Sequence, residues 1–166
     1  MTETSAGWEQ RVADLWASFE DLDAETFLAR MEALAAERAA DNPAAIFERA
    51  AAQDSTGHAD LAVPLYRQAL ALGLHGERRR RAVIQLASSL RNTGHAQESV
   101  ALLTAELTGE SDHLDDAVAA FLALALADTG KEREALSIAL TALSSHLPRY
   151  QRSLAAYASL LVDDTD

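Results

Sequence analysis

Apolar residues recur along this chain at spacings of three and four, the period of an α-helix with one buried face. After a turn signal at Ser5 to Gly7, Trp8, Val12, Leu15, Trp16 and Phe19 mark a first helix ending near Asp21. Asp23 is placed to cap a second, because a carboxylate just before a helix accepts from its unpaired N–H groups. Phe27, Leu28, Met31, Leu34 and Ala35 form the apolar side of that helix, and Asp41-Asn42-Pro43 ends it and primes the next. No segment alternates apolar and polar residues with β-branched enrichment, so an all-α protein of about nine helices is expected.

From Pro43 the periodic segments pair up: 44–55 with 59–72, 77–93 with 96–108, and 113–129 with 132–145. The last two pairs repeat each other at a shift of 36 residues, matching Asn92/Asp128, Thr93/Thr129, Gly94/Gly130, Glu98/Glu134, Ser99/Ala135 and Leu107/Leu143. Upstream, Leu86, Ala87 and Leu90 fall opposite Leu122, Ala123 and Leu126. A fixed period of this size means stacked helical hairpins. A diverged first copy places Gly57 where Gly94 and Gly130 stand, at a spacing of 37. Every glycine except Gly7 marks a helix end, where a left-handed residue costs little. Pro64 falls early in a helix, so that helix starts late or bends there. Leu147-Pro148 opens a last helix to about Val162, with Leu154, Ala155, Tyr157, Ala158 and Leu161 as its packing face, which would close the open end of the stack.

With Gly57, Gly94 and Gly130 as turn positions, small residues stand at Ala50, Ala87 and Ala123 in the first helix of each pair and at Ala62, Ser99 and Ala135 in the second. This pattern resembles the tetratricopeptide repeat family, in which small residues stand where two helices touch. The run DSTGHADLAVPLYRQALALGLHGERRRRAVIQLASSLRNTGH resembles more narrowly a bacterial tetratrico peptide repeat domain family of largely uncharacterised proteins. The aromatic residue usual near the start of the first helix is replaced by Ile46, Val83 and Ala119. The resemblance implies a right-handed stack of hairpins, a tetratricopeptide-like α-solenoid, over residues 43–163. Residues 1–42 form an N-terminal helical extension, and a closing helix follows the last hairpin.

Composition narrows the function more than the fold. There are no cysteines, which excludes disulfides and thiolate chemistry. No charged-then-apolar leader opens the chain, and no apolar run approaches the ~20 residues of a membrane span, so a cytoplasmic location is expected. The net charge is −12, with residues 1–60 at −9, 61–110 at +2 and 111–166 at −5. Such a field repels a polyanion, and no nucleic-acid partner and no membrane partner are expected. The serines lack a nucleophile elbow, and His58, His75, His95, His113 and His146 fall near helix ends without metal-ligand spacing. Asp115 and Asp116 are adjacent, pointing ~100° apart on a helix, which is no geometry for paired carboxylates. Neither catalytic residues, nor a metal, nor any cofactor is expected.

Arg78 to Arg81 is the densest charge cluster, and four consecutive helical residues face every direction. Salt bridges to the acidic N-terminal region are one use for them; lining a groove is another. In the family this chain resembles, the first helices of the pairs line a concave face. The register puts Arg81, Ile84, Gln85, Ser88, Arg91 and Asn92 there, flanked by Glu48, Ala51 and Asp54 on one side and by Phe121, Leu124 and Asp128 on the other. Polar donors beside an aromatic floor suit an extended peptide or an acidic terminus. The expected function is therefore a non-catalytic scaffold that binds a protein or peptide in this groove. A regulatory sensor holding a small anionic ligand and an enzyme with an unrecognised site are the alternatives. Trp8, Trp16, Phe19 and Tyr157 are candidates for capping the stack or for self-association as a homodimer.

Overall fold

The structure, a computed structural model, describes residues 5–163. Among these, all regular structure is helical: α1 (Ser5–Ala17), a 3-10 turn (Phe19–Asp21), α2 (Ala24–Ala35), α3 (Pro43–Ser55), α4 (Ala59–Ala71), α5 (Gly76–Asn92), α6 (Ala96–Leu107), α7 (Asp115–Asp128), α8 (Glu132–Ser144) and α9 (Gln151–Asp163). The chain divides into two compact units, residues up to Ala82 and residues from Val83, and the division falls inside α5.

The helix boundaries follow from local chemistry. The Asp23 carboxylate accepts from the Thr26 N–H at 2.9 Å, and this backbone hydrogen bond holds its pKa below the usual carboxylate value. Asn42 likewise caps α3 by accepting from Ala45 N–H at 3.0 Å, with Pro43 in the first turn, where a missing donor costs nothing. Three hairpin turns share one construction. In each a threonine hydroxyl donates back to helix carbonyls, a left-handed glycine follows, and the next N–H reaches back to close the helix end. Those closing bonds run from His58 to Gln53 O at 2.9 Å, His95 to Leu90 O at 2.8 Å and Lys131 to Leu126 O at 3.0 Å. This is the Schellman arrangement, which satisfies carbonyls the helix leaves unpaired.

In the first unit, Trp8 and Val12 of α1 pack with Ala35 and Ala45, and Leu15 packs with Phe27, Met31 and Ala52. Trp16, Phe19 and Phe27 form an aromatic cluster with ring centroids 4.8–5.9 Å apart. The Trp8 indole donates to Leu34 O at 2.8 Å. The N-terminal extension is thus docked on the first hairpin, and Trp8, only 2% exposed, belongs to the core of its own unit. In the second unit, Ile84 and Ala87 of α5, Leu103 of α6, Val118, Leu122, Ala123 and Leu126 of α7 and Ala135 of α8 share one core. All six small-residue positions of the repeat are buried, as helices in close approach require.

Several expectations are corrected. Gly7 lies inside α1 rather than before it. Gly109 ends α6 without the left-handed backbone that Gly57, Gly73, Gly76, Gly94 and Gly130 adopt. Of the two outcomes expected for Pro64 a late start is excluded, since α4 begins at Ala59; its side chain is exposed, so the carbonyl it fails to pair can meet water. Leu147-Pro148 does not open the last helix, because Gln151 donates back to Leu147 O and Ser145 O and holds 147–150 as a connection. Tyr150 there has φ 69°, rare for a bulky side chain. Tyr157 is not part of the α9 packing face, being 68% exposed, whereas Ala158 is buried.

Candidate partner-binding groove

The residues expected to line a groove in the second unit fall on helices α5 and α7. Along α5, Leu86, Ala87 and Leu90 turn inward, leaving Gln85, Ser88 and Arg91 half-buried and Asn92 exposed. Ile84, expected beside them, is in the core instead. Along α7, Phe121 is half-buried against that core, while Leu124 is 47% exposed and Asp128 is open to solvent.

The key cation of this stripe is already engaged. Arg91 Nη1 donates to Asp128 at 2.9 Å, and its Nη2 donates to Asn92 Oδ1 at 3.3 Å. Two buried polar atoms of the same stripe have no hydrogen-bond partner among the described residues: Gln85 Oε1, an acceptor, and Arg91 Nε, a donor. Leaving such an atom unsatisfied costs on the order of 1–3 kcal/mol.

The first unit treats the corresponding α3 residues differently. Glu48 is buried at 3% exposure and accepts from the Trp16 indole at 2.8 Å and from Arg78 Nε at 2.9 Å. Arg78 also pairs through both terminal nitrogens with Glu9, with one bond at 3.0 Å. That Glu9 pairing is the main reason its pKa is raised, ahead of the opposing effect of burial. Ala51 is buried, and Asp54 accepts from the Tyr66 hydroxyl at 3.4 Å. Burial, first, and Asp54, second, push the Tyr66 phenol far above its ordinary pKa. The α3 face is therefore closed by α1 and by the start of α5.

The arginine cluster disperses as consecutive helical positions must. Arg78 ties α1 to α3, Arg79 is exposed, Arg80 is buried, and Arg81 lies over the Phe47 ring at 5.4 Å. Arg81 is thus held within the first unit, whereas Gln85, Ser88, Arg91 and Asn92 on α5 and Phe121 and Leu124 on α7 belong to the second. Turn positions account for the histidines His58 and His95, whose Nδ1 atoms lie beside Thr56 and Thr93, and His146 pairs with Asp116 at 2.7 Å.

Sequence reasoning missed a cleft of about 590 Å³ lined by Lys131, Arg133, Ile138, Leu161 and Val162, among others. Its walls come from the start of α8 and the end of α9, residues with no shared spacing, so no sequence signal marks it. Among the described residues no group of three His, Asp or Glu side chains is arranged to hold a metal, and no helix is long and apolar enough to cross a membrane.

No curated protein and no solved structure matches the chain. The tetratrico peptide repeat family does match, over residues 43–161, a span that takes in all three hairpins and most of α9. With its buried small-residue positions and its repeated hairpin turn, the chain belongs to the tetratrico peptide repeat family.

Proposed function

We propose that this protein is a non-catalytic scaffold whose second unit binds an extended peptide segment of a protein partner along α5 and α7. Repeats of this family serve protein–protein interaction, which supports the general role. The observation that carries the specific reading is the exposed Leu124 beside the half-buried Phe121 on α7, in the same unit as the half-buried polar residues Gln85, Ser88 and Arg91 of α5. An apolar side chain of the partner would rest on Leu124 and Phe121, and its backbone would meet the amide of Gln85 and the hydroxyl of Ser88. Asp128 sets the selectivity for charge. An incoming carboxylate must displace it from Arg91, whereas a neutral backbone leaves that ion pair intact.

The test is affinity purification from the native cell with the unmodified protein, Leu124→Asp, Gln85→Ala and Arg79→Glu as baits, followed by mass spectrometry. Partners retained by the unmodified protein and by Arg79→Glu, but lost with Leu124→Asp and weakened with Gln85→Ala, are the expected outcome. For a partner ending in an acidic terminus, Arg91→Glu weakens binding by about 1.5–3 kcal/mol, more than Arg79→Glu, which sits at a solvated position. Equal losses in all variants would indicate diffuse electrostatics and end the groove assignment. Retention of a small anion by the purified protein, with no protein partner, would favour the sensor reading.

A further inference from the structure

Helix α9 packs on α8 through Leu154, Ala155, Ala158 and Leu161, and its opposite side is left bare. Ser153, Ala156, Tyr157 and Leu160 on that side are all exposed, Leu160 at 53%. Their spacing of three, one and three keeps them on one helical face. Two small residues beside two large apolar ones make a surface into which a second helix can press closely.

The charges at the ends of this stripe are unusual. Arg149 and Arg152 stand at its N-terminal end, and Asp163 stands at its C-terminal end. Both are on the wrong side of the helix macrodipole, which favours acids at the start and bases at the finish. The stability of α9 alone therefore does not account for the arrangement. A neighbouring copy of α9 running in the opposite direction does. Reversal brings the basic end of each helix against the acidic end of the other, twice, and sets the two macrodipoles antiparallel. The stripe also matches itself on reversal: position 153 meets 160, 156 meets 157, and 150 meets 163. Tyr157 then lies over Ala156 of the other helix and Leu160 over Ser153. Tyr150, 77% exposed on its left-handed backbone, then meets Asp163 of the other helix.

We propose that the outer face of α9 is a self-association surface, occupied by α9 of a second copy of this chain in antiparallel orientation about a two-fold axis near Ala156 and Tyr157. A self-complementary patch of this kind makes a closed dimer. A single helix pair is smaller than the ~1,200–2,000 Å² of stable complexes, so the dimer forms in the micromolar range and exchanges readily. The surface is separate from the α5 and α7 stripe and does not depend on what that stripe binds.

Sedimentation equilibrium of the full chain between ~5 and ~500 µM tests this. The unmodified chain is expected to reach the mass of a dimer at the upper end. Leu160→Glu, at an exposed position that leaves helicity unchanged by circular dichroism, is expected to stay monomeric throughout. Asp163→Arg places like charges together and weakens association by about tenfold; adding Arg152→Glu to it restores the dimer. A chain that remains monomeric over the whole range overturns the proposal. So does a dimer that persists in Leu160→Glu, or one in which the double charge exchange fails to recover what Asp163→Arg loses.

Discussion

Gly57, Gly94 and Gly130 have φ of 78–88°, and an added Cβ would meet no atom within 4 Å at any of them. Replacing one is therefore a test of backbone conformation alone. Gly94→Ala is expected to lower stability by about 1 kcal/mol, the cost of holding an L-residue left-handed. Gly109→Ala should be close to neutral, because its backbone is ordinary and its Cβ would rest at 3.4 Å from Glu106 O. Urea denaturation of the two variants measures the difference, and equal midpoints would remove the conformational account. The glycine pattern and the six small-residue sites were legible because each depends on nearby chain or on a fixed repeat. What Arg91 bonds to was not. Its register neighbour Asp128 was visible on the same face, yet nothing in the spacing told an open cation from a paired one. The orphaned Gln85 and Arg91 atoms were equally hidden, since satisfaction depends on every side chain around them.

At the scale of whole helices, the sequence is most informative where an element carries its own punctuation. Asp23 caps α2 as expected, and Asn42, read as part of a segment that primes the next helix, caps α3. Leu147-Pro148 misled, because a proline permits a helix start without compelling one, and Gln151 bonding back to Leu147 O decides where α9 begins. The position of α1 was legible only as a choice between a cap and an intermolecular arm. The structure docks it through a charge network in which Arg78 joins Glu9, both partly exposed, to the buried Glu48. Deleting one partner of a buried pair leaves the other charged and uncompensated. Arg78→Ala is therefore expected to cost roughly 2–4 kcal/mol, and adding Glu48→Gln should recover part of that loss by removing the stranded carboxylate. A double-mutant cycle from urea midpoints reads the coupling; strict additivity would mean that Glu48 is held by Trp16 alone.

The family, the three hairpins and the closing helix were readable because a repeat imprints the same burial pattern on successive stretches of chain. The division into two compact units was not, since it falls within α5, an unbroken helix whose apolar positions continue without a break from Ala82 to Leu90. Ala82 lies on one side of the division and Ile84 and Ala87 on the other. In stacked repeats each unit is stabilised by its neighbour, and loss of one removes partners from the next. Both tryptophans, Trp8 and Trp16, lie in the first unit, so their fluorescence follows that unit, while far-ultraviolet circular dichroism follows all the helices. Leu103, fully buried in the second unit, is remote in sequence from both tryptophans. Leu103→Ala should cost about 2–5 kcal/mol as a large-to-small core change. If α5 ties the units into one cooperative transition, the fluorescence and dichroism midpoints coincide in the unmodified chain and both move to lower urea in the variant. A fluorescence transition left in place while the dichroism curve splits into two steps would show that the units melt separately, with α5 fraying at Ala82 rather than transmitting the loss.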